Sequence, residues 1–545
     1  MSFQLTPGRR LRIWSAVVGT ALLASCAQQP TPSTDPQAAC AAIAGMQIPA
    51  SAIGLPTTGA TVQSATLVTT DAVNGEYCAV KGRIAPVHAS SPAMEFQVNL
   101  PSRWNGKALQ MGGGGYDGVL VTGTGQFTAQ DNGTPNALAR GYATLGSDGG
   151  HKGNGPFDGS FALDDEALLN YGQQSVKKTH DVAIQVILRR YAVAPRRFYF
   201  IGGSQGGHEA LDAAARYGAD YDGAIANYPA YNVTLLQQAS LNVGKALYAN
   251  GGEGWLNPAK KKLLINAVYA ACDKLDGLVD GTIANVRACN AAFNIDTVKA
   301  TLRCPGGRDL GDGCLSDAQI EAVHRIDSPF DLGFTVAGQQ VFPRWPVFEG
   351  AVWNRSSFGE ARQPANPPAT NDALLYAIGA GHVKFLVTKD AAYDALRFEP
   401  ATWRARLQQL GTITDVSNVS LAAFRAKGGK LILTHGTADD LISPHNSEDY
   451  YRMQVATFGP LAVDAFIRFY EIPGYGHGAG PYNLGFDGLG VLDAWVDQGL
   501  APETIASKDK NAGATRARPM CRWPAWPKFI GGNADDAAAF RCVTF

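Results

Sequence analysis

Six short apolar runs, each ending in a loop rich in glycine or aspartate, constrain the fold of this chain more than any other feature. They are "GKALQMGGGG" near 110, "YATLGSDGG" near 145, "RFYFIGGS" near 200, "YDGAIANYP" near 225, "KLILTHGTADD" near 433 and "FIRFYEIPGYGH" near 470. Runs this short and this apolar read as strands buried on both faces, with polar loop residues gathered at their ends. Between them, "SVKKTHDVAIQVILRRY" (175 to 191), "QGGHEALDAAARYG" and "GVLDAWVDQG" carry apolar residues at helical spacing. Strands alternating with helices imply an α/β fold, a mostly parallel sheet covered on both faces. From about Tyr231 to Lys427 the rhythm fails, four cysteines appear, and "RQPANPPATND" has the composition of a loop or linker. We therefore expect an inserted lid domain at 232–427 between two parts of a catalytic domain, 40–231 and 428–545. A chain of 545 residues, 46% hydrophobic, has the length for both.

Charge excludes one class of partner. Lys and Arg number 46 against 47 Asp and Glu, so no long-range field gathers nucleic acid, and a neutral small molecule is the expected partner. At the N-terminus Arg9, Arg10 and Arg12 precede an apolar stretch from Ile13 to Leu23, too short for a comfortable membrane span and typical of an export signal at 1–25. Its end, Leu23-Ala24-Ser25-Cys26, resembles the bacterial lipoprotein signal, which makes Cys26 the expected lipidated residue and 26–39 a flexible tether. The protein is expected to be exported, either periplasmic or on the outer membrane as a lipoprotein, with secretion as the alternative, and membrane contact is expected only through that anchor. Cys40, Cys78, Cys272, Cys289, Cys304, Cys314, Cys521 and Cys542 remain, an even set in an exported chain and so a disulfide framework. Spacing alone leaves their pairing open, and no Cys/His pair stands at zinc spacing. Oligomeric state is not legible.

Gly202-Gly203-Ser204-Gln205-Gly206 fits G-x-S-x-G, and it lies after an apolar strand and before a helix, where a nucleophile elbow belongs. The competing reading is a glycine-rich turn with a capping serine. A serine hydroxyl needs a histidine base held by a carboxylate. In the order Ser, Asp, His, the strand end "LILTHGTADD" offers Asp439 and Asp440, and the next strand end offers His477. His445 lies too close to those aspartates, His435 precedes them, and His208 reads as a packing or surface residue on the helix after the elbow. "QMGGGGYDG" follows an early strand, where this fold places a second oxyanion donor; it lacks the ending of a phosphate loop and the spacing of a dinucleotide fingerprint. Within the insertion, Asp273, Asp276 and Asp280 cluster with turn glycines, a set that suits Ca²⁺ without the spacing of an EF-hand. The plain alternative is a solvated acidic turn.

Together "GGGGYDG", "SDGGH", "YFIGGSQGG", "YDGAIANYPA", "CDKLDGLVDG", "LAAFRAKGGKLILTHGTAD", "PGYGH" and "TRARPMC...FRC" resemble the tannase and feruloyl esterase family, from about Cys40 to Cys542. That resemblance implies an α/β-hydrolase fold with Ser204 as nucleophile, Asp439 rather than Asp440 as acid, and His477 as base. It implies oxyanion donors at the N–H groups of Gly115 and Gln205. It implies a structural Ca²⁺ in the lid held by Asp273, Asp276, Asp280 and the carbonyls of Leu278 and Thr282, and disulfides 40–78, 272–289, 304–314 and 521–542. The implied activity is hydrolysis of esters of aromatic or hydroxycinnamic acids through an acyl-enzyme, with lid aromatics Trp345, Phe348, Trp353 and Phe358 as core residues, one or two of which reach substrate. Two alternatives stand beside it. One is a mono(2-hydroxyethyl) terephthalate hydrolase-like aryl esterase, whose lid arginine has no match here. The other is a non-catalytic, calcium-stabilised surface binding lipoprotein. One departure favours that last alternative: the family usually carries a disulfide between the residue before the serine and the residue after the histidine, positions held here by Gly203 and Gly478.

Overall fold

The computed structural model describes residues 1–2, 35–154, 157–351, 353 and 355–545. All six apolar runs become strands of one ten-stranded sheet. β1 (Gln47–Ile48), β2 (Gly59–Val68), β3 (Tyr77–Ala85) and β4 (Met94–Pro101) form an antiparallel edge that joins β6 (Ala143–Ser147). From there the sheet is parallel, in the order β6, β5 (Lys107–Met111), β7 (Arg197–Gly203), β8 (Gly223–Asn227), Lys430–Gly436 and Ile467–Ile472.

Side chains of the parallel strands alternate between two cores, as a period of two requires. Phe198, Phe200, Leu431 and Leu433 enter a core beneath helices Ser175–Tyr191, Gln205–Ala215 and Pro444–Phe458. Tyr199, Ile201 and Ile432 enter the opposite one, closed by Leu489, Leu492 and Trp495 of helix Gly488–Gln498. This is the α/β-hydrolase architecture. The antiparallel edge adds to the parallel sheet anticipated from the apolar runs: β2 and β3 are part-exposed and alternate, so they lack the continuous apolar run that marks the others.

Between β8 and Lys430–Gly436 the chain leaves the sheet and builds most of a third core, to which Tyr116, Phe161, Leu168 and Tyr171 also contribute and in which Trp345, Phe348, Trp353 and Phe358 are each no more than 3% exposed. Helix Ala422–Lys427, placed with the insertion in the sequence reading, instead buries Phe424 in a core of the sheet. The insertion is tied to the sheet by charge: Glu349 lies 2.9 Å from His445 Nε2 and also pairs with Arg344, and His445 Nδ1 lies 2.9 Å from Glu448.

Disulfides join Cys40 to Cys78, Cys272 to Cys289, Cys304 to Cys314 and Cys521 to Cys542, the pairing that the resemblance implied. Four disulfides belong to a chain folded in an oxidising compartment. The first of them corrects the expected tether, because residues 36–39 are already folded: Asp35 caps helix Pro36–Ala41, and Cys40 anchors it to β3. Cys26 and the apolar stretch from Ile13 to Leu23 lie outside the described residues. Among the described residues no helix is long and apolar enough to cross a membrane.

Candidate active site

Parallel register decides where the site forms. Met111 pairs with Ile201, Gly203 and Thr434 both pair with Asn227, and Gly436 pairs with Ile472, so the chain leaves these strands along one edge. Loops at the carboxyl ends of neighbouring parallel strands make the crevice in which such folds bind ligands.

Ser204 stands between β7 and helix Gln205–Ala215 with φ 60° and ψ −120°, outside the regions open to most residues. A strained turn of this kind costs about 1–3 kcal/mol and persists only where its surroundings hold it. Here Ser204 N–H donates to the Asn227 carbonyl at 3.0 Å, and Asn227 Nδ2 donates to the Gly202 carbonyl at 3.2 Å. The flanking glycines are demanded by space: a Cβ on Gly202 would lie 2.2 Å from the Gly206 carbonyl oxygen, and one on Gly206 2.7 Å from that of Gly113.

His477 Nε2 lies 3.0 Å from Ser204 Oγ, and its Nδ1 lies 2.9 Å from Asp439 Oδ2. With Nδ1–H donating to the carboxylate, Nε2 is left to accept the serine proton. Asp439 is fully buried, and its Oδ1 accepts the N–H groups of Leu441 and Ile442, both at 2.9 Å. Burial works against its charge, yet the imidazole of His477 and hydrogen bonds from His435 and His477 hold it well below the usual carboxylate range. Burial likewise opposes a charge on His477, but the Asp439 charge and hydrogen bond, with Asp440 behind them, raise its pKa above the ordinary 6.5. Of the two candidate aspartates, the geometry selects Asp439.

Gly115 and Gln205 line the same cavity as Ser204 and His477, with Gln205 the first residue of the helix, where backbone N–H groups lack helical partners. The Gln205 side chain is turned inward, accepting from the Tyr171 hydroxyl at 3.2 Å and donating to His208 Nδ1 at 3.1 Å. His208 is fully buried and burial pushes it down to about 3, so it is a neutral packing residue.

Two residues have parts in the site that the sequence reading did not give them: His435, which it set aside as the base, and Tyr228, which it did not single out. His435 Nε2 comes within 3.3 Å of Asp439 Oδ2, a second imidazole on the acid. Tyr228 packs its ring against that of His477, tilted by 52° with centroids 4.6 Å apart, and is hydrogen-bonded to Tyr475 and Thr128. It also occupies the space between the two glycines of interest: a Cβ on Gly203 would sit 3.0 Å from Tyr228 Cζ, and one on Gly478 3.4 Å from its hydroxyl.

The cavity, about 310 Å³, is roofed by aliphatic residues of the insertion, among them Val233, Leu236, Leu375 and Ile378. Trp345, Phe348, Trp353 and Phe358 do not line it; its aromatic residues are Tyr116 and Phe157, from loops around the sheet, and Tyr171, from the helical turn Asn170–Gln174. The lid aromatics are therefore core residues here.

In the acidic loop, Asp273 accepts the N–H of Gly281 at 3.1 Å, Asp276 that of Leu278 at 3.1 Å and Asp280 that of Thr282 at 3.0 Å, while Arg518 holds Asp280 Oδ2 at 2.7 Å. As placed, no three such carboxylates converge closely enough to hold an ion among the described residues. The donor chemistry nonetheless fits a hard cation. Burial, followed by the charges of Asp280 and Asp273, pushes Asp276 up to about 6, and burial and Asp280 raise Asp273, which is negative charge that a cation would offset.

A sequence model of the family described as "Tannase and feruloyl esterase" matches residues 78–543. The chain belongs to this family. Its relatives include an uncharacterized esterase of Agrobacterium fabrum, 36% identical across 92% of this chain and 93% of that one. A mono(2-hydroxyethyl) terephthalate hydrolase of Piscinibacter sakaiensis is 30% identical across 86% of this chain and 85% of its own. Among solved structures, an esterase from Aspergillus oryzae superposes with a TM-score of 0.74 at 25% identity, covering 93% of this chain and all of its own. Feruloyl esterase B from the same fungus, with a TM-score of 0.75 at 22% identity over 93% of this chain and 100% of that one, shows the shared fold. Members of the family are carboxylic ester hydrolases, and this chain brings the elbow serine, histidine and aspartate into one hydrogen-bonded line.

Proposed function

We propose that the protein is a serine esterase that hydrolyses esters of aromatic or hydroxycinnamic acids through an acyl-enzyme. The observation that carries this reading is the chain of contacts from Ser204 through His477 to Asp439, at 3.0 and 2.9 Å, opening on an apolar cavity. His477 takes the proton of Ser204 as Oγ attacks the ester carbonyl; the buried Asp439 stabilises the imidazolium that forms. Gly115 and Gln205 N–H groups bind the oxyanion, each donor worth roughly 3 kcal/mol of barrier. His477 then gives its proton to the leaving alcohol. Water, deprotonated by the same histidine, attacks the acyl-enzyme and releases the acid and the serine. Methyl ferulate, chlorogenate, methyl gallate and p-nitrophenyl acetate, tested on the wild type and on Ser204→Ala, decide the matter. Absence of turnover, or turnover that survives Ser204→Ala, refutes it.

Two further assignments accompany this reading. A Ca²⁺ ion held by Asp273, Asp276, Asp280 and the carbonyls of Leu278 and Thr282 supplies a structural staple beside the Cys272–Cys289 disulfide, and no part of the reaction. The N-terminus is an export signal ending at a lipidated Cys26; mass spectrometry of the membrane fraction tests it, and an unmodified, soluble mature chain refutes it.

A further inference from the structure

One wall of the cavity is a single face of helix Val233–Gly252: Val233, Leu236, Gln237 and Ser240 line it at spacings of three and four residues, as one helical stripe does. Most hydroxyls around the cavity are already engaged. Tyr116 donates to the Ile378 carbonyl at 2.9 Å and Tyr171 to Gln205 at 3.2 Å. Gln237 differs: it is 7% exposed, and its Oε1 is enclosed without a hydrogen-bond partner. Enclosed acceptors in folded proteins are almost always satisfied, so an exception in a substrate cavity asks what would complete it.

We propose that Gln237, supported by Ser240 one turn further on, is the specificity element of this site and accepts a hydrogen bond from a hydroxyl on the aromatic ring of the acyl group. The proposal rests on the esterase reading and sharpens it to phenolic esters. An unpaired acceptor requires a donor, and a phenolic hydroxyl is a donor, whereas an ionised carboxylate is not. Among the described residues lining the cavity none is Lys or Arg, so a ring carboxylate of the terephthalate type would meet no cation there. A site built to pair with a hydroxyl also rejects the analogue that lacks it, because its own acceptor is then left buried and unpaired.

The test compares kcat/KM for methyl cinnamate, methyl 3-hydroxycinnamate and methyl 4-hydroxycinnamate, with p-nitrophenyl acetate as a reference ester. Enzymes are the wild type, Ser240→Ala, Gln237→Leu and Gln237→Met, the last being close to glutamine in length. The wild type should prefer at least one hydroxylated ester to methyl cinnamate by about tenfold, the scale of one net hydrogen bond. Either Gln237 variant should erase that preference, in part by raising turnover of methyl cinnamate, which no longer leaves an acceptor unpaired, with circular dichroism reporting that the variant is folded; Ser240→Ala should reduce the preference partly. Equal rates on all three aromatic esters, or a preference that persists in both Gln237 variants, overturns the proposal and leaves the esterase reading intact. Turnover of p-nitrophenyl acetate alone also overturns it. Turnover of no ester sinks both.

Discussion

Tyr228 is the sharpest point at which to perturb this protein. It is 6% exposed, its ring packs at a tilt against His477 with centroids 4.6 Å apart, and its hydroxyl joins Tyr475, from the loop that carries His477, to Thr128. It thus packs across Gly203 and Gly478, the two positions where the family resemblance places a disulfide, and is expected to hold the two loops by contact. Tyr228→Phe keeps the ring contact and removes one buried hydroxyl, leaving its partners short of a bond; the expected cost is about 1–3 kcal/mol of stability, with kcat within a few-fold. Tyr228→Ala removes the ring as well. Truncating a buried aromatic costs about 3–5 kcal/mol, and a histidine free to shift by about 1 Å loses on the order of 100-fold in rate. Urea unfolding measures the first quantity. Kinetics at a temperature where circular dichroism shows each variant folded measures the second. A folded Tyr228→Ala with wild-type kcat would falsify the positioning role. Restoring Cys at 203 and 478 is a separate matter: the Cβ at 203 would also meet Thr128 Cγ2 at 2.7 Å, so the pair should form only with Thr128 and Tyr228 trimmed.

Other expectations follow from charge. Because His477 must be neutral to accept a proton and its pKa is raised, kcat/KM should fall as pH drops through a value above 6.5. Asp439→Asn should remove that elevation and lower kcat by about 10⁴, and an acid limb at or below 6.5 in the wild type would contradict this. In the tie between insertion and sheet, burial opposes both charges. The charge and hydrogen bond of Glu349 nevertheless carry His445 up to about 10, and those of His445 with Arg344 hold Glu349 down at about 2. The Glu349 contribution to stability is therefore present above 4.5 and lost as pH falls through about 2; that of His445 is present below 6.5 and lost as pH rises through about 10. Glu349→Gln should cost about 3–5 kcal/mol near pH 6 and flatten the decline above 6.5, a difference that denaturant melts at several pH values would reveal. EDTA should lower the melting temperature, and Asp276→Asn should abolish the calcium response; an unchanged melt with no ion retained after dialysis counts against the metal.

The parallel strands were legible because each is buried on both faces: in "RFYFIGG" and "KLILTHG" every residue after the first is buried, and each carries an unbroken apolar run, FYFI and LIL. β2 was not: in "GATVQSATLV" only three residues are buried, and what makes it a strand is its pairing with β3 rather than any run of its own. Helix Ala422–Lys427 went to the wrong core for a related reason, since its periodicity shows which face is apolar and says nothing of which sheet or bundle covers that face.

Within the site, the serine, histidine and aspartate were legible because each stands in the loop immediately following a strand, at a place that the order of the strands dictates. Tyr228 stands there too, and His435 stands one residue before the end of its strand. Tyr228 directly follows β8, and His435 lies inside Lys430–Gly436 with its side chain turned toward Asp439. What concealed them is that their partners come from elsewhere: Thr128, Gly203 at the end of β7, and Tyr475 with Gly478 meet around Tyr228 from three separate segments. His435 is held by Ser447 at 2.7 Å and the Ile442 carbonyl at 3.0 Å, contacts that no spacing rule encodes. The same holds for Gln237, whose helical stripe could be counted from the sequence but whose unpaired oxygen exists only once the insertion is laid over Ser204. Strand ends thus disclose which residues can react. The residues that hold and discriminate are disclosed only by packing, and for that reason the tests of Tyr228 and Gln237 probe more of this enzyme than the test of Ser204 does.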